Sequence, residues 1–268
     1  MTRKIALMNT IALMTDFGEA SAYVAQMKGV LFSIGRGINL VDISHAIKAQ
    51  SIDEARYLLE QTAFAFPLGT VFVVVVDPGV GTGRRGIAVR SKGMTFVGPD
   101  NGVLSWPLEQ ADAEVYELTN RALFQPEVST TFHGRDIFAP VAAEISMGLD
   151  LCEVGPLIDD PVVKRRIKAV KSGELTWKVR CEWNDNFGNV ITNLKVQELP
   201  MGVKEVVVHG DEIKRAPFCR TYGEVPEGDF LALASSSGYV EFAIRNGSAR
   251  AFLGDGLLER VFEIRVMS

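Results

Sequence analysis

The sequence predicts an α/β N-terminal domain with a mainly parallel central sheet, followed by a smaller all-β, barrel-like C-terminal domain. Strand-like and helix-like patterns alternate over roughly the first 160 residues, the grammar of a layered α/β domain. Val71–Val76 is apolar at every position, and a run apolar on both faces belongs at the centre of a parallel sheet. From Gly173 onward, short β-prone runs follow one another with turn signals between them, as in a small barrel or sandwich.

The elements follow in order. Ile11–Thr15 reads as a buried strand. Ser21–Ile34 has helical spacing, with Tyr23, Met27, Val30, Leu31 and Ile34 on one side. Ile38–Ile43 is a second strand and Ser51–Phe66 a second helix, where Ser51 and Glu54 stand at the spacing of a capping box. After Val71–Val76, Gly86–Arg90 and Met94–Val97 add strands and Ile137–Met147 a helix. In the second domain Leu175–Trp183, Glu205–His209, Phe230–Ala234, Tyr239–Arg245 and Leu258–Val266 are strand-like, with no helical pattern among them. The domains span residues 1–165 and 173–268. Asp159-Asp160-Pro161 and the basic cluster Lys164-Arg165-Arg166, Lys168 and Lys171 form the polar link, a solvated segment rather than a phosphate track.

Composition removes several function classes. Hydrophobic residues make up 47% of the chain and charged residues 23%, as in a well-packed globular protein. The net charge of −5 argues against a nucleic-acid partner, which calls for a basic face. The aliphatic run Val71–Val76 is too short to cross a membrane. Cys152, Cys181 and Cys219 are odd in number and far apart, which fits a reducing, cytoplasmic compartment and no metal framework. Arg3 and Lys4 precede an apolar stretch, but Asn9 and Thr10 interrupt it and no small-residue cleavage site follows, so it does not read as a secretory signal. Ile5-Ala6-Leu7-Met8 recurs as Ile11-Ala12-Leu13-Met14, and only the second copy reads as a core strand.

Three local motifs mislead. Asp16-Phe17-Gly18 spells a kinase triplet without the Gly-rich loop and lysine strand that should precede it, and His133-Gly134-Arg135-Asp136 only resembles a kinase catalytic loop. Gly81-x-Gly83-x-x-Gly86 follows a strand, but the strand-like Ile87-Ala88-Val89-Arg90 after it leaves no helix N-terminus for a pyrophosphate. More informative is a pattern of carboxylates. Asp16, Asp77 and Asp100 each stand just past a hydrophobic strand and near glycine, where side chains face the ligand crevice of an α/β sheet. Any one of them is ordinary turn chemistry; three at matching positions favour a site. His133 before an apolar helix, with Asp136 suited to that helix's dipole, and the polar stretches Asp185–Asn193 and Ser235–Tyr239 complete the candidates. Taken alone, each of these has a plain structural reading as well.

Together these segments carry a resemblance. Thr15-Asp16-Phe17-Gly18, Val76-Asp77-Pro78-Gly79-Val80-Gly81-Thr82, Pro99-Asp100-Asn101-Gly102, Phe132-His133-Gly134-Arg135-Asp136, Asp185-x-Phe187-Gly188-Asn189 and Ser236-Ser237-Gly238-Tyr239 resemble the S-adenosyl-L-methionine hydroxide adenosyltransferases, hydrolytic relatives of fluorinase and chlorinase. The match runs in order across both domains. It implies hydrolysis of S-adenosyl-L-methionine to adenosine and L-methionine without cofactor or metal, in a homotrimer whose sites lie between subunits. By the same resemblance, Asp77, Arg84 and His133 handle the attacking water, and Asp16 holds the ribose diol. Asp185, Ser236 and Ser237 fall where methionine is held, Asn189, Asn246 and Gly247 where the adenine edge is read, and Tyr222 where a ring stacks on the base. Two alternatives stand beside this: a halide-using halogenase, and a sensor that binds S-adenosyl-L-methionine or adenosine without turnover. The departures from the halogenases favour water. Asp77 is acidic where they are not, Gly134 lacks their hydroxyl, and Arg84-Arg85-Gly86 runs on without their insertion. Gln50 replaces a halogenase aromatic and Ser237 a halogenase arginine.

Overall fold

The computed structural model describes residues 9–268, so the reading of Ile5–Met8 lies outside the described residues. By its contacts the chain divides into two compact units, Met1–Arg165 and Arg166–Ser268.

The first unit holds β1 (Thr10–Thr15), α1 (Ala22–Ile34), β2 (Asn39–Ser44), α2 (Ile52–Ala63), β3 (Val71–Val75), β4 (Gly86–Ser91), β5 (Met94–Pro99), α3 (Ser105–Leu108), β6 (Glu114–Glu117) and α4 (Ala139–Ser146). The strands form one sheet in the order β2-β1-β3-β5-β4-β6. β3 lies inside it, parallel to both β1 and β5, as its apolar run predicts. Its side chains alternate between two cores. Val71, Val73 and Val75 pack with Met27 and Leu31 of α1 and Val141 of α4, while Phe72 and Val74 pack with Ala55 and Leu59 of α2. Burying one such valine contributes on the order of 1.5 kcal/mol, so the central strand anchors both layers.

The sheet expected to be mainly parallel is mixed: β2, β1, β3 and β5 run parallel, and the departure lies at β4. β4 runs antiparallel to both β5 and β6. The cause is local. Only Lys92 and Gly93 separate the paired residues Ser91 and Met94, at φ of 53° and 70°. Two residues in the left-handed region close a tight hairpin, whereas a parallel return needs a long crossover.

The second unit holds β7 (Val170–Gly173), β8 (Thr176–Val179), β9 (Cys181–Asn184), β10 (Val190–Lys195), β11 (Glu205–His209), β12 (Ile213–Cys219), β13 (Phe230–Ala234), β14 (Tyr239–Ile244), α5 (Ala249–Leu253), α6 (Asp255–Leu258) and β15 (Phe262–Met267). Its nine strands follow the order β7-β8-β15-β11-β12-β13-β14-β10-β9, curled into a half-barrel around Trp177, Val206, Phe242 and Ile264. The single strand expected over Leu175–Trp183 is broken at Arg180, whose N–H and C=O both bond Asn193, so β8 and β9 join opposite ends of the sheet. The unit also carries two helices that the sequence did not suggest, α5 and α6, too short to show a period and separated by Gly254 at φ 83°. Among the described residues, no helix is long and apolar enough to cross a membrane.

Candidate active site

The first cavity opens at the C-terminal edge of the parallel strands. β1 ends at Thr15, β3 at Val75 and β5 at Pro99, so the sheet order brings Asp16, Asp77 and Asp100 to one edge. Only two of the three line the cavity, of about 310 Å³, together with Phe17, Gln50, Val75, Phe132, His133 and Gly134. Asp100 is buried and committed to structure: its Oδ2 accepts from the Arg85 guanidinium at 2.8 and 3.0 Å, and its Oδ1 from the Val162 N–H at 2.7 Å. It ties the segment after Asp160 to the sheet. Asp136 is likewise structural, accepting from the Ser129 N–H at 2.9 Å and from Arg135.

Arg84 does not line the cavity but joins two residues that do. Its Nε donates to the Asp77 oxygens at 2.9 and 3.0 Å, and its Nη2 reaches both Asp77 Oδ2 and, at 2.9 Å, His133 Nδ1. The Asp77 and Arg84 side chains are 5% and 10% exposed, so this pair works largely out of water. The turn Pro78–Gly83 that brings Arg84 back onto Asp77 needs Gly81: at φ 77°, a Cβ there would lie 2.3 Å from the Thr130 carbonyl. The turn then enters β4 rather than a helix, as the strand-like sequence predicts.

His133 precedes a wide helical turn, Gly134–Phe138, closed by an Ala139 N–H bond to the Gly134 carbonyl five residues back. Such turns are frequent at functional sites. Gly134 fits beneath: a Cβ would meet Met27 Sδ at 3.3 Å and Val75 Cγ1 at 3.4 Å. Burial and the adjoining Arg84 charge hold the His133 imidazole below its ordinary range, outweighing Asp77 and Asp136. A guanidinium has no acceptor, so His133 Nδ1 must accept, and the ring is neutral with its proton on Nε2.

The second cavity, of about 530 Å³, belongs to the second unit and is lined by Asp185, Phe187, Asn189, Tyr222, Ile244, Arg245, Asn246 and Gly247. Asp185 organises its floor. Oδ1 accepts from the N–H groups of Phe187 at 3.0 Å and Asn189 at 2.8 Å, and Oδ2 from Asn189 Nδ2 at 2.8 Å. That leaves the Asn189 carbonyl oxygen and its second amide hydrogen as a donor–acceptor pair suited to a base edge. Phe187 is thrown outward, 81% exposed, and Tyr222 stands 42% exposed. The Tyr222 hydroxyl donates at 2.6 Å to Glu241, a buried carboxyl on β14.

The structure therefore brings Asp16, Asp77 and His133 together, with Arg84 behind them, and separately gathers Asp185, Asn189, Tyr222, Asn246 and Gly247. Ser236 and Ser237 sit on the β13–β14 turn outside both linings, Ser237 Oγ lying 2.9 Å from Ser235 Oγ. The sequence reading overlooked Glu241, an acid inside an apolar strand run, which is itself a legible signal.

Fold and site define an α/β unit carrying a carboxylate–arginine–histidine cavity, followed by a half-barrel carrying an amide and aromatic cavity. Two family models match: SAM hydroxide adenosyltransferase N-terminal domain over residues 11–155, and the C-terminal domain of the same family over residues 182–261. The chain belongs to the SAM hydroxide adenosyltransferase family. It is 38% identical to the (R)-S-adenosyl-L-methionine hydrolase of Thermus thermophilus, over 92% of this chain and 96% of that one. It is 28% identical to the fluorinase of an Actinoplanes species, over 90% of this chain and 92% of the relative. A solved structure of an uncharacterized conserved protein from Thermotoga maritima superimposes with a TM-score of 0.88 at 36% identity, covering 96% of this chain and all of the other.

Proposed function

We propose that this protein hydrolyses S-adenosyl-L-methionine to adenosine and L-methionine. The observation that carries the reading is the Asp77–Arg84–His133 chain at the wall of the cavity that also holds Asp16. Asp16 grips the ribose hydroxyls, Asn189 with the Asn246–Gly247 backbone reads adenine, and Tyr222 stacks on it. Asp185, Ser236 and Ser237 face the methionine end. The protein assembles as a cytoplasmic homotrimer that closes each site by pairing the first cavity of one subunit with the second cavity of a neighbour, its C-terminal half-barrel completing a barrel-like wall. The domain limits 1–165 and 173–268 are the functional halves in this scheme.

The reaction is in-line displacement at the ribose C5′. A water oxygen forms the new bond to carbon, the C5′–S bond breaks, and its electron pair stays on sulfur, converting a sulfonium to a neutral thioether. The leaving group needs no proton, so catalysis falls on the nucleophile. The His133 Nε2–H donates to the water oxygen and aims it. Because Nδ1 already accepts from Arg84, the water's proton passes to Asp77, and Arg84 steadies the carboxylate throughout. An anionic Asp77 beside the nucleophile disfavours halide.

Incubation with the substrate in ¹⁸O-labelled water containing chloride tests the reading. Both sulfonium epimers are used, because the relatives' names specify the (R) form. Adenosine labelled at its 5′ oxygen is expected; 5′-chloro-adenosine would make the protein a halogenase, and bound, unchanged substrate a sensor. Asp77→Asn and His133→Ala are expected to lower turnover by about 10²–10⁴-fold while substrate still binds. Unchanged turnover removes those residues from the mechanism.

A further inference from the structure

We propose that the loop between β2 and α2 is a clamp that aims the Asp16 carboxylate, with His45 and Gln50 as its positioning residues; this rests on the ribose role proposed for Asp16. Asp16 stands on a turn just beyond β1, with no regular structure of its own to fix it. His45 brackets that turn on both sides. Its Nδ1 lies 2.9 Å from the Thr15 hydroxyl, before Asp16, and its carbonyl accepts from the Gly18 N–H at 2.8 Å, after it. Thr15 Oγ1 also accepts from the Phe17 N–H at 3.3 Å, so one hydroxyl links the imidazole to the backbone that carries Asp16.

His45 is itself held in place. It is buried, and its Nε2 lies 3.0 Å from Asp42 Oδ1, while the other Asp42 oxygen takes the Lys28 ammonium at 2.5 Å. The approach to Asp42 is close but off the axis of a ring N–H; the ring is tied to Thr15 through Nδ1, and the Thr15 oxygen also takes the Phe17 amide. Thr15, His45 and Asp42 have the residue types of a nucleophilic triad. Thr15 is fully buried, however, and outside the cavity lining, so the array serves position and not nucleophilic attack.

Gln50 grips the carboxylate directly. Its N–H donates to Asp16 Oδ2 at 2.7 Å. To do so it takes φ of 65°, the left-handed region that a non-glycine residue enters only under strain. Strain held at a cavity wall indicates a conformation kept for its consequence. Here the consequence is that Oδ2 is anchored and Oδ1 is the oxygen open to a ligand hydroxyl. A carboxylate fixed before binding loses no rotamer freedom when the diol arrives. The two grips come from one loop, so residues 45–50 set both where the turn lies and which way its carboxylate faces.

Isothermal titration with adenosine and with 2′,3′-dideoxyadenosine tests the clamp on the full chain. The wild type is expected to prefer adenosine. His45→Ala and the near-isosteric Thr15→Val are expected to weaken adenosine by about tenfold, the worth of a charge-assisted hydrogen bond, and the dideoxynucleoside by less than about twofold. Gln50→Ala and Gln50→Gly keep the N–H and are expected to preserve the preference, the glycine also raising the melting temperature. Equal losses for both nucleosides in His45→Ala and Thr15→Val would make His45 a general structural residue and overturn the clamp alone. A wild type that binds both nucleosides equally overturns the ribose reading of Asp16, and the clamp with it.

Discussion

Arg84 Nη2 stands 2.9 Å from His133 Nδ1 while its Nε is shared between the two oxygens of Asp77 at 2.9 and 3.0 Å. One guanidinium thus sets both a carboxylate's geometry and an imidazole's tautomer. With burial as the larger cause, its charge helps keep the imidazole neutral in a site that also holds two carboxylates.

The neutral ring has a pH consequence. Burial and Arg84 hold His133 below its ordinary value of 6.5. The folded protein therefore resists a proton that the unfolded chain binds, and this contribution to stability is present above pH 6.5 and lost as pH falls from there through the folded value. Activity follows the same group, so the acid limb of kcat/KM is expected below pH 6.5. In Arg84→Gln the His133 resonance, followed by NMR, is expected to titrate at higher pH, because the positive neighbour is gone and Asp77 remains. An unshifted titration would mean that Arg84 does not control the ring. Arg84→Ala is also expected to cost about 3–5 kcal/mol of stability, since it leaves the buried Asp77 charge unpaired.

The Tyr222–Glu241 bond makes a different prediction. Tyr222 opens a short turn, Tyr222–Glu224, and its hydroxyl contact to the buried Glu241 ties the ring to β14. Burial holds the Glu241 carboxyl above its ordinary range, with the Tyr222 hydrogen bond opposing. Tyr222→Phe keeps the ring face proposed to stack on the base but removes that tie. KM is expected to rise about three- to tenfold with kcat within about twofold, the pattern of lost uniform binding. A fall in kcat at unchanged KM would place Tyr222 in the chemistry instead.

Gly188 illustrates how backbone geometry shapes the second cavity. It has φ of 83°, and a Cβ there would lie 2.3 Å from Ser248 Oγ and 2.7 Å from Ser248 Cβ. Ser248 caps α5 by accepting from the Ala251 N–H at 3.1 Å. Gly188→Ala must therefore displace either the Asp185–Asn189 turn or that cap. A loss of roughly 2–4 kcal/mol is expected from strain and overpacking, read by thermal or urea unfolding. Gly83→Ala, at a glycine with open space around it and no positive φ, serves as the control and is expected to be near neutral.

Much of this was legible because chemistry and pattern coincided. Val71–Val76 announced the central strand, and the apolar runs before Asp16 and Asp77 placed those carboxylates at the ligand edge. Asp100 shares their pattern but is spent on Arg85 and the Val162 amide, a distinction that depends on where residues 160–162 return in space. The mixed sheet was hidden in Lys92-Gly93, a turn whose left-handed backbone decides strand direction although the flanking runs look alike. β10 was hidden because Val190–Lys195 overlaps a polar motif and reads as loop, yet its Thr192 and Asn193 are buried and bonded to β14 and to the Ile167 carbonyl. Side-chain partnerships such as Tyr222–Glu241 carry no sequence period at all.

The division of the candidate residues between two units makes the last prediction. The residues proposed to handle water belong to the first unit, those proposed to read the base to the second. If a homotrimer pairs them between neighbours, two inactive variants repair one another. Asp77→Asn subunits retain a sound second cavity, and subunits with Asn189→Ala and Tyr222→Ala retain a sound first cavity. Random reassembly of equal amounts creates about one intact pairing in four, since each head-to-tail contact draws its halves independently. Hydrolysis at low substrate is therefore expected to recover to about a quarter of the wild-type rate, after separate preparations have shown little activity. Activity that stays at the sum of the two variants would instead place both halves of each site within one chain.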